Sequence, residues 1–404
     1  MSDMEAPEYR TARKRREDGL AALADTIRAA RRIEFWAERL PDPGRGPLSE
    51  EMLAGFPVLR KSELPALQAA APPFGGLAAE GPGNFPRLFL SPGPICEPGG
   101  IDDAGAAQAM RAAGVRAGDV VLNTFGYHLT PAGLMFDDAA RALGAAVIPA
   151  GGGNTGQILL AMRAYSPTIY VGTPDYLNIL IEAADEAGIP LTLRVALLSA
   201  AALPPSLRTA FGDRGIEVFE QYGTAELGII AYETASHDGM VLNENLWAEI
   251  AAPHSGEPMP DGEVGELVVS LFRQSYPLIR FGTGDLSAFL PGSAKSGHTN
   301  RRLRGWMGRA DDSVKVKGIF LRPSMLAEVV SLLPSKPPAR FVIDRQNERD
   351  RLVLEIGAEL SEDMVSALKV KVRDVCRIGC EVRCVPSSEI IPGKALLDLR
   401  PEPS

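Results

Sequence analysis

The octapeptide Gln221–Gly228, QYGTAELG, brings a phenol, a glycine, a hydroxyl and a carboxylate into one short stretch. It follows Ile216, Val218 and Phe219, whose spacing predicts a strand, so these groups fall where that strand turns. Strand ends are where open α/β sheets place their ligands. Tyr222 offers a ring, Gly223 permits close backbone approach, Thr224 offers a hydroxyl, and Glu226 offers a carboxylate suited to a cation beside a phosphate. A strand-end turn with an exposed glutamate would use the same residues. Other stretches must converge on it before chemistry follows.

With 404 residues the chain is too long for one ordinary core, so at least two domains are expected. A hydrophobic content of 45% and a charged content of 23% describe a globular protein. The net charge of -9 argues against a nonspecific nucleic-acid or anionic-membrane partner. No apolar run is long enough to span a bilayer, and the opening MSDMEAPEYRTARKRRED is charged, so a cytoplasmic location is expected. Cys376, Cys380 and Cys384 recur every four residues, but Gly379 interrupts them and CEVRCV alternates like a strand. Free thiols are expected there rather than a zinc site.

Several elements must position QYGTAELG. A helix is predicted over Asp18–Leu40, and a turn-rich approach over Phe56–Leu67. RLFLS at 87–91 reads as a strand leading into PGPICEPGG. Pro92, Pro94 and Pro98 have no amide hydrogen for a phosphate and no lysine follows, so a rigid surface turn is expected. From Asp103 onward, helices and strands alternate with the rhythm of a mostly parallel, doubly wound sheet. After Gly239 the strands shorten and alternate, as in an antiparallel sheet or distorted barrel. Beyond about Asp312 the order of strands and helices predicts a small two-layer α+β unit. Lys394, after a Pro-Gly turn, reads on its own as a solvated lysine.

The order YGTAE, PLIRFGTGD, GRADD, VKGIFLRPS and IPGKALLDLR resembles the adenylate-forming acyl-CoA synthetases, most closely the phenylacetate-CoA ligase group. FPVLRKSEL, LGAAVIPAGGG and DGEVGELVVS extend the resemblance, which runs from about Arg31 to Arg400. It implies an α/β plus α+β architecture: a large N-terminal part, 1–310, of α/β subdomains and a distorted barrel, and a small mobile C-terminal domain, 311–404. It also implies that ATP and Mg2+ activate a carboxylic acid as an acyl-adenylate, which coenzyme A then attacks. A homodimer is left open.

By the same resemblance Glu226 is the magnesium-associated glutamate, with Tyr222, Gly223 and Thr224 on the nucleotide side. Asp285 is placed at the ribose, Arg309 near the nucleotide, Asp311 at the hinge and Lys394 as the adenylation lysine. Lys317 and Gly318 fall in the region of the CoA step. Phe125, Gly126 and Tyr127, with Pro149, Gly151 and Gly152, match the acyl-pocket neighbourhood, whose rings would suit an aromatic acid.

Departures lie on the ATP side. SPGPICEP at 91–98 stands where the family carries a loop like SSGTTGKP, with Glu97 in place of lysine, and SAAAL at 199–203 stands where the group has GAEPW. Ala225 occupies the position beside the glutamate where a hydroxyl is expected. Three readings follow: an acyl-CoA ligase with an unusual phosphate loop; a binder of acyl-adenylate, AMP or acid that adenylates poorly; and a noncatalytic relative serving a partner or scaffold.

Overall fold

Thr11 caps the first helix, α1 (Ala12–Ala30), by accepting from the Lys14 amide at 3.2 Å, and Leu23 and Ile27 on it are fully buried. The single helix expected over Asp18–Leu40 is interrupted at Ile33, which is extended, and restarts as α2 (Glu34–Arg39). The break turns Trp36 into the core, where its Nε1 donates to the Leu77 carbonyl at 3.3 Å. An indole N–H buried without that acceptor would cost stability.

The computed structural model describes residues 7–44, 46, 48–100, 104–253, 255–310, 314–317, 319–321, 323–347, 349–391 and 393–400. Two units are distinguished, Met1–Ser199 with Arg208–Ala310, and Ala200–Leu207 with Asp311–Ser404.

In the first unit, α3 (Glu50–Ala54) and β1 (Leu59–Arg60) lead to α4 (Leu64–Ala70). The stretch expected to be turn-rich is therefore partly helical, with Pro65 in its first turn, where no amide hydrogen is needed. β2 (Arg87–Ser91) and β3 (Ile95–Gly99) form an antiparallel hairpin. Then come α5 (Ala104–Ala112), β4 (Val120–Asn123), α6 (Ala132–Ala142), β5 (Ala146–Pro149), α7 (Thr155–Tyr165), β6 (Ile169–Gly172), α8 (Pro174–Glu186), β7 (Val195–Leu198), α9 (Pro205–Asp213) and β8 (Glu217–Thr224).

Strands β5, β4, β6, β7 and β8 pair in that order, all parallel. Every residue of β6 and β7 is buried, as a parallel sheet covered on both faces requires. β9 (Gly228–Glu233) and β10 (Met240–Leu242) continue the sheet antiparallel. The strands after Gly239 then divide. β11 (Leu246–Ala251), β12 (Gly265–Leu271) and β13 (Phe281–Ser287) form a separate four-stranded sheet whose edge is β1, parallel to β13. β14 (Phe289–Leu290) and β15 (Arg302–Leu303) return to the large sheet.

The second unit has its own core. β16 (Val314–Val316) and β17 (Ile319–Leu321) pair antiparallel, and Lys317, directly after β16, has φ +48°. α10 (Pro323–Val330), β18 (Ala339–Gln346), β19 (Arg349–Ile356), α11 (Glu362–Cys376), β20 (Glu381–Cys384) and β21 (Leu396–Asp398) follow. Sheet order is β20-β19-β18-β21, and Val329, Phe341, Leu354, Leu368 and Val372 are buried together. Cys376 is buried on α11, where desolvation pushes its thiol up to about 12, while Cys384 is exposed on β20. No helix among the described residues is long and apolar enough to cross a membrane.

Candidate active site

Tyr222, Asp285 and Arg309, taken from three separate motifs, meet in the first unit. The Tyr222 hydroxyl donates to Asp285 Oδ2 at 2.7 Å, and Arg309 Nη1 donates to Asp285 Oδ1 at 2.9 Å. Sequence reasoning missed Trp306, whose Nε1 also donates to Oδ1, at 3.0 Å. Asp285 is 4% exposed. Burial and the Asp285 carboxylate raise the Tyr222 hydroxyl well above its ordinary pKa, so it stays a donor. A carboxylate presents about four acceptor positions. With three in use, a two-donor contact to ribose requires Asp285 to release one protein donor.

Gly284 makes this arrangement possible. Its φ is +72°, and a Cβ there would lie 2.5 Å from Arg309 Nη2. Gly284→Ala is expected to cost about 1–3 kcal/mol from backbone strain, with a further loss from displacing the guanidinium. Gly292 has the same φ with nothing within 4 Å of the added atom, so Gly292→Ala should show the backbone loss alone. Urea denaturation of both variants checks the difference.

The QYGTAELG stretch is the end of β8 together with the hairpin turn that follows it. β8 runs through Thr224, residues 225–227 turn, and β9 starts at Gly228. Thr224 Oγ1 accepts from the Leu227 amide at 3.3 Å, and a Cβ on Gly223 would lie 2.5 Å from the Gly228 carbonyl oxygen. Glu226 is therefore not an exposed turn residue. Its side chain is wholly buried, and the Lys61 ammonium lies 2.7 Å from Oε1. The contact is an ion pair rather than an aligned hydrogen bond, since neither carboxylate oxygen has a hydrogen-bond partner. Lys61 comes from a single 3-10 turn, Lys61–Glu63, just after β1. Sequence reasoning quoted it only within FPVLRKSEL, because nothing in local spacing links it to Glu226.

Within the stretch 91–98 the expected surface turn is confined to Pro92–Pro94, with both prolines exposed, and the residues on either side are strand. In the β2–β3 hairpin Ser91 pairs with Ile95 and Phe89 with Glu97, and Glu97 is 1% exposed. Ser91 Oγ donates to Glu97 Oε1 at 2.6 Å, while Oε2 has no partner. Burial and the neighbouring Glu226 carboxylate push Glu97 up to about 8, opposed by the Ser91 hydrogen bond and the Lys61 charge. The residue that stands in place of the family's lysine is thus turned inward, and it holds its proton to higher pH than an ordinary carboxyl. The Tyr276 hydroxyl, which both carboxylates influence, is buried without a hydrogen-bond partner.

The expected acyl-side residues gather at one end of the parallel strands. Phe125, Gly126 and Tyr127 follow β4, and Pro149, Gly151 and Gly152 close and follow the adjacent β5. The Ala150 and Gly151 amides donate to the Asn123 carbonyl at 3.0 and 3.1 Å, tying the two loops together. Phe125 stacks on Phe136 with centroids 5.4 Å apart. The Tyr127 hydroxyl accepts from Asn123 Nδ2 at 2.9 Å and donates to Asp137 at 3.1 Å, which fixes its ring. Pro149 and Gly152 are exposed. A cavity of about 290 Å3 lies elsewhere in this unit, between Gly105, Met135, Leu227, Gly228, Asn243 and Gln274, and contains none of these six residues.

In the second unit Lys394 is exposed just before β21, and Lys317 is exposed at the β16–β17 turn. Asp311 and Gly318 lie outside the described residues.

The AMP-binding enzyme family matches residues 106–271. Over that stretch the chain matches this family, and it is similar to the phenylacetate-coenzyme A ligases. It is 32% identical over 260 residues to the phenylacetate-coenzyme A ligase of Aromatoleum evansii, covering 62% of this chain and 58% of that protein. It is 34% identical over 233 residues to the Pseudomonas putida phenylacetate-coenzyme A ligase, covering 55% and 52%. The matched stretch thus spans less than two thirds of either relative. A crystal structure of 2-hydroxyisobutyryl-CoA ligase in complex with 2-HIB-AMP and CoA shares the fold, with TM-score 0.87 at 23% identity over 98% of this chain and 91% of that one.

Proposed function

We propose that this protein is an AMP-forming acyl-CoA ligase: it activates an aromatic or similarly compact carboxylic acid with ATP as an acyl-adenylate and transfers the acyl group to coenzyme A. The observation that carries this reading is the meeting of Tyr222, Asp285 and Arg309, drawn from three motifs in the family's order, with Glu226 in the turn of the β8–β9 hairpin that carries Tyr222. Likeness to the phenylacetate-coenzyme A ligases supports the reaction class. Phe125 and Tyr127, held by Phe136 and Asp137, favour a flat apolar acid.

In this reading Asp285 and Arg309 bind and orient the nucleotide. Lys394 stabilises charge developing on the carboxylate and α-phosphate oxygens, and Lys317, Gly318 and the hinge residue Asp311 serve the second half-reaction. The buried carboxylate of Glu226, with no hydrogen bond to either oxygen, is a suitable donor for Mg2+, which when bound would neutralise phosphate charge. Lys61 would share that carboxylate with the ion.

The test is acid-dependent pyrophosphate release with a mixed acid panel, followed by CoA-dependent AMP release. Absence of both from folded protein with magnesium present rejects the reading. Lys394→Ala should lower pyrophosphate release at least 10-fold while sparing attack of CoA on supplied acyl-adenylate.

A second reading is favoured by the β2–β3 hairpin, which closes on itself through Ser91 and Glu97 and whose one cation, Arg87, is engaged by Asp138. In that case the protein binds AMP or an acyl-adenylate and adenylates poorly. Calorimetry would then show AMP binding without turnover, weakened by Asp285→Ala.

A further inference from the structure

β12 and β13 pair antiparallel, but their register slips where Asp285 emerges. Glu266 stands opposite Leu286 and Val268 opposite Gly282, so Thr283, Gly284 and Asp285 bulge against the single residue Leu267. A bulge re-aims side chains, and it frees amides that must find other acceptors when buried. Two buried side chains supply them. Glu266, 2% exposed, accepts from the Gly284 amide on Oε1 at 3.1 Å. The Thr283 hydroxyl, fully buried, accepts from the Asp285 amide at 3.1 Å and donates to the Leu267 carbonyl at 2.9 Å.

None of the roles above employs Glu266. Its second oxygen, Oε2, pairs with Arg60 on β1, the strand parallel to β13, so a cation anchors one oxygen while the other holds the bulge. Gly282 leaves room for this side chain, since a Cβ there would lie 2.7 Å from Oε1. The two glycines of RFGTGD thus admit two charged side chains, Glu266 at Gly282 and Arg309 at Gly284. Asp285 has to release one of its three protein donors to accept two ribose hydroxyls. While those donors rearrange, the backbone clamp keeps the carboxylate in place.

We propose that Glu266 and Thr283 are positioning residues for nucleotide binding: they fix the bulge that presents Asp285, and Arg60 holds Glu266 to that task. The assignment rests on the reading in which Asp285 binds the nucleotide. The experiment compares two double variants of the full chain that carry the same charge. Arg60→Met/Glu266→Gln keeps an amide oxygen that can accept from Gly284, whereas Arg60→Met/Glu266→Met has similar bulk and no acceptor. AMP binding is measured by calorimetry, the KM values for ATP and acid come from pyrophosphate release, and urea denaturation reports folding. Gly292→Ala, outside the clamp, is the control for lost stability alone.

Arg60→Met/Glu266→Met is expected to raise the Kd for AMP and the KM for ATP about 10-fold over Arg60→Met/Glu266→Gln, because a released bulge no longer aims the charged acceptor at ribose. The KM for acid should not move, and Gly292→Ala should leave AMP binding unchanged. An equal Kd for AMP in the two double variants, or an equal rise in the KM for acid, overturns the proposal. Should the variant with two methionines fail to fold, Thr283→Val decides: weaker AMP binding supports the clamp, and an unaltered Kd overturns it. If no variant releases pyrophosphate, the ligase reading fails, and AMP calorimetry still tests the clamp. A difference between the double variants then supports it, and no AMP binding by the unaltered chain rejects it.

Discussion

Replacing Lys61 by methionine should destabilise the first unit by about 3–5 kcal/mol, the usual loss when one member of a buried ion pair is removed. The reason is Glu226. Its carboxylate is wholly buried, the Lys61 ammonium sits 2.7 Å away, and neither oxygen has a hydrogen-bond donor to fall back on. Without the ammonium, two buried carboxyl groups, Glu226 and Glu97, would face one another with only the Ser91 hydroxyl attending them. Lys61→Met/Glu226→Gln removes both charges and should recover most of the loss. Equal destabilisation of single and double variants in urea would show that packing, not charge, dominates. The pair also bears on the proposed function, in which Mg2+ at Glu226 would share its ligand with an ammonium, and Glu226→Gln should weaken any magnesium dependence of nucleotide binding.

Glu97 should make stability fall as pH rises. Its folded pKa of about 8 lies above its ordinary value of 4.5. Below the lower value both folded and unfolded chains hold the proton, and Glu97 contributes nothing to pH dependence. Between the two, the native state retains a proton that the unfolded chain gives up, so unfolding becomes easier with each step up in pH. Above about 8 the effect is complete, on the order of a few kcal/mol. Glu97→Gln keeps the acceptor for Ser91 and abolishes the titration. In metal-free buffer, the difference in unfolding free energy between Glu97→Gln and the unaltered chain should therefore grow from pH 5 to pH 8 and level off. A constant difference would place the titration elsewhere. Glu97→Lys is not a simple return to a family-like phosphate loop, because the new ammonium would enter a site that already contains Lys61.

These two residues mark the boundary between what the chain's spelling conveys and what its folding adds. Alternating apolar runs such as IYVG and VALL, with helices between them, conveyed the parallel sheet, because a strand covered on both faces must be apolar throughout. Ordered motifs conveyed Tyr222, Asp285 and Arg309, because each carries functional groups beside glycines that let backbones approach. Gly223 and Gly284 both stand where a Cβ would collide. Whereas the strand at 87–91 was legible, the break before Trp36 and the return strand Ile95–Gly99 were not. Both depend on where a side chain finds its burial, which local propensity does not encode.

By itself the sequence carried the likeness to adenylate-forming enzymes, the alternation of elements and three of the four residues gathered at Asp285. Only the tertiary structure decided that Trp306 joins them, that Glu226 is buried, that Lys61 is its partner and that Glu97 turns inward to Ser91. The physical reason is range. Propensity and periodicity act over a few residues, whereas desolvated charges choose partners by proximity in the folded chain, where separation in sequence has no bearing.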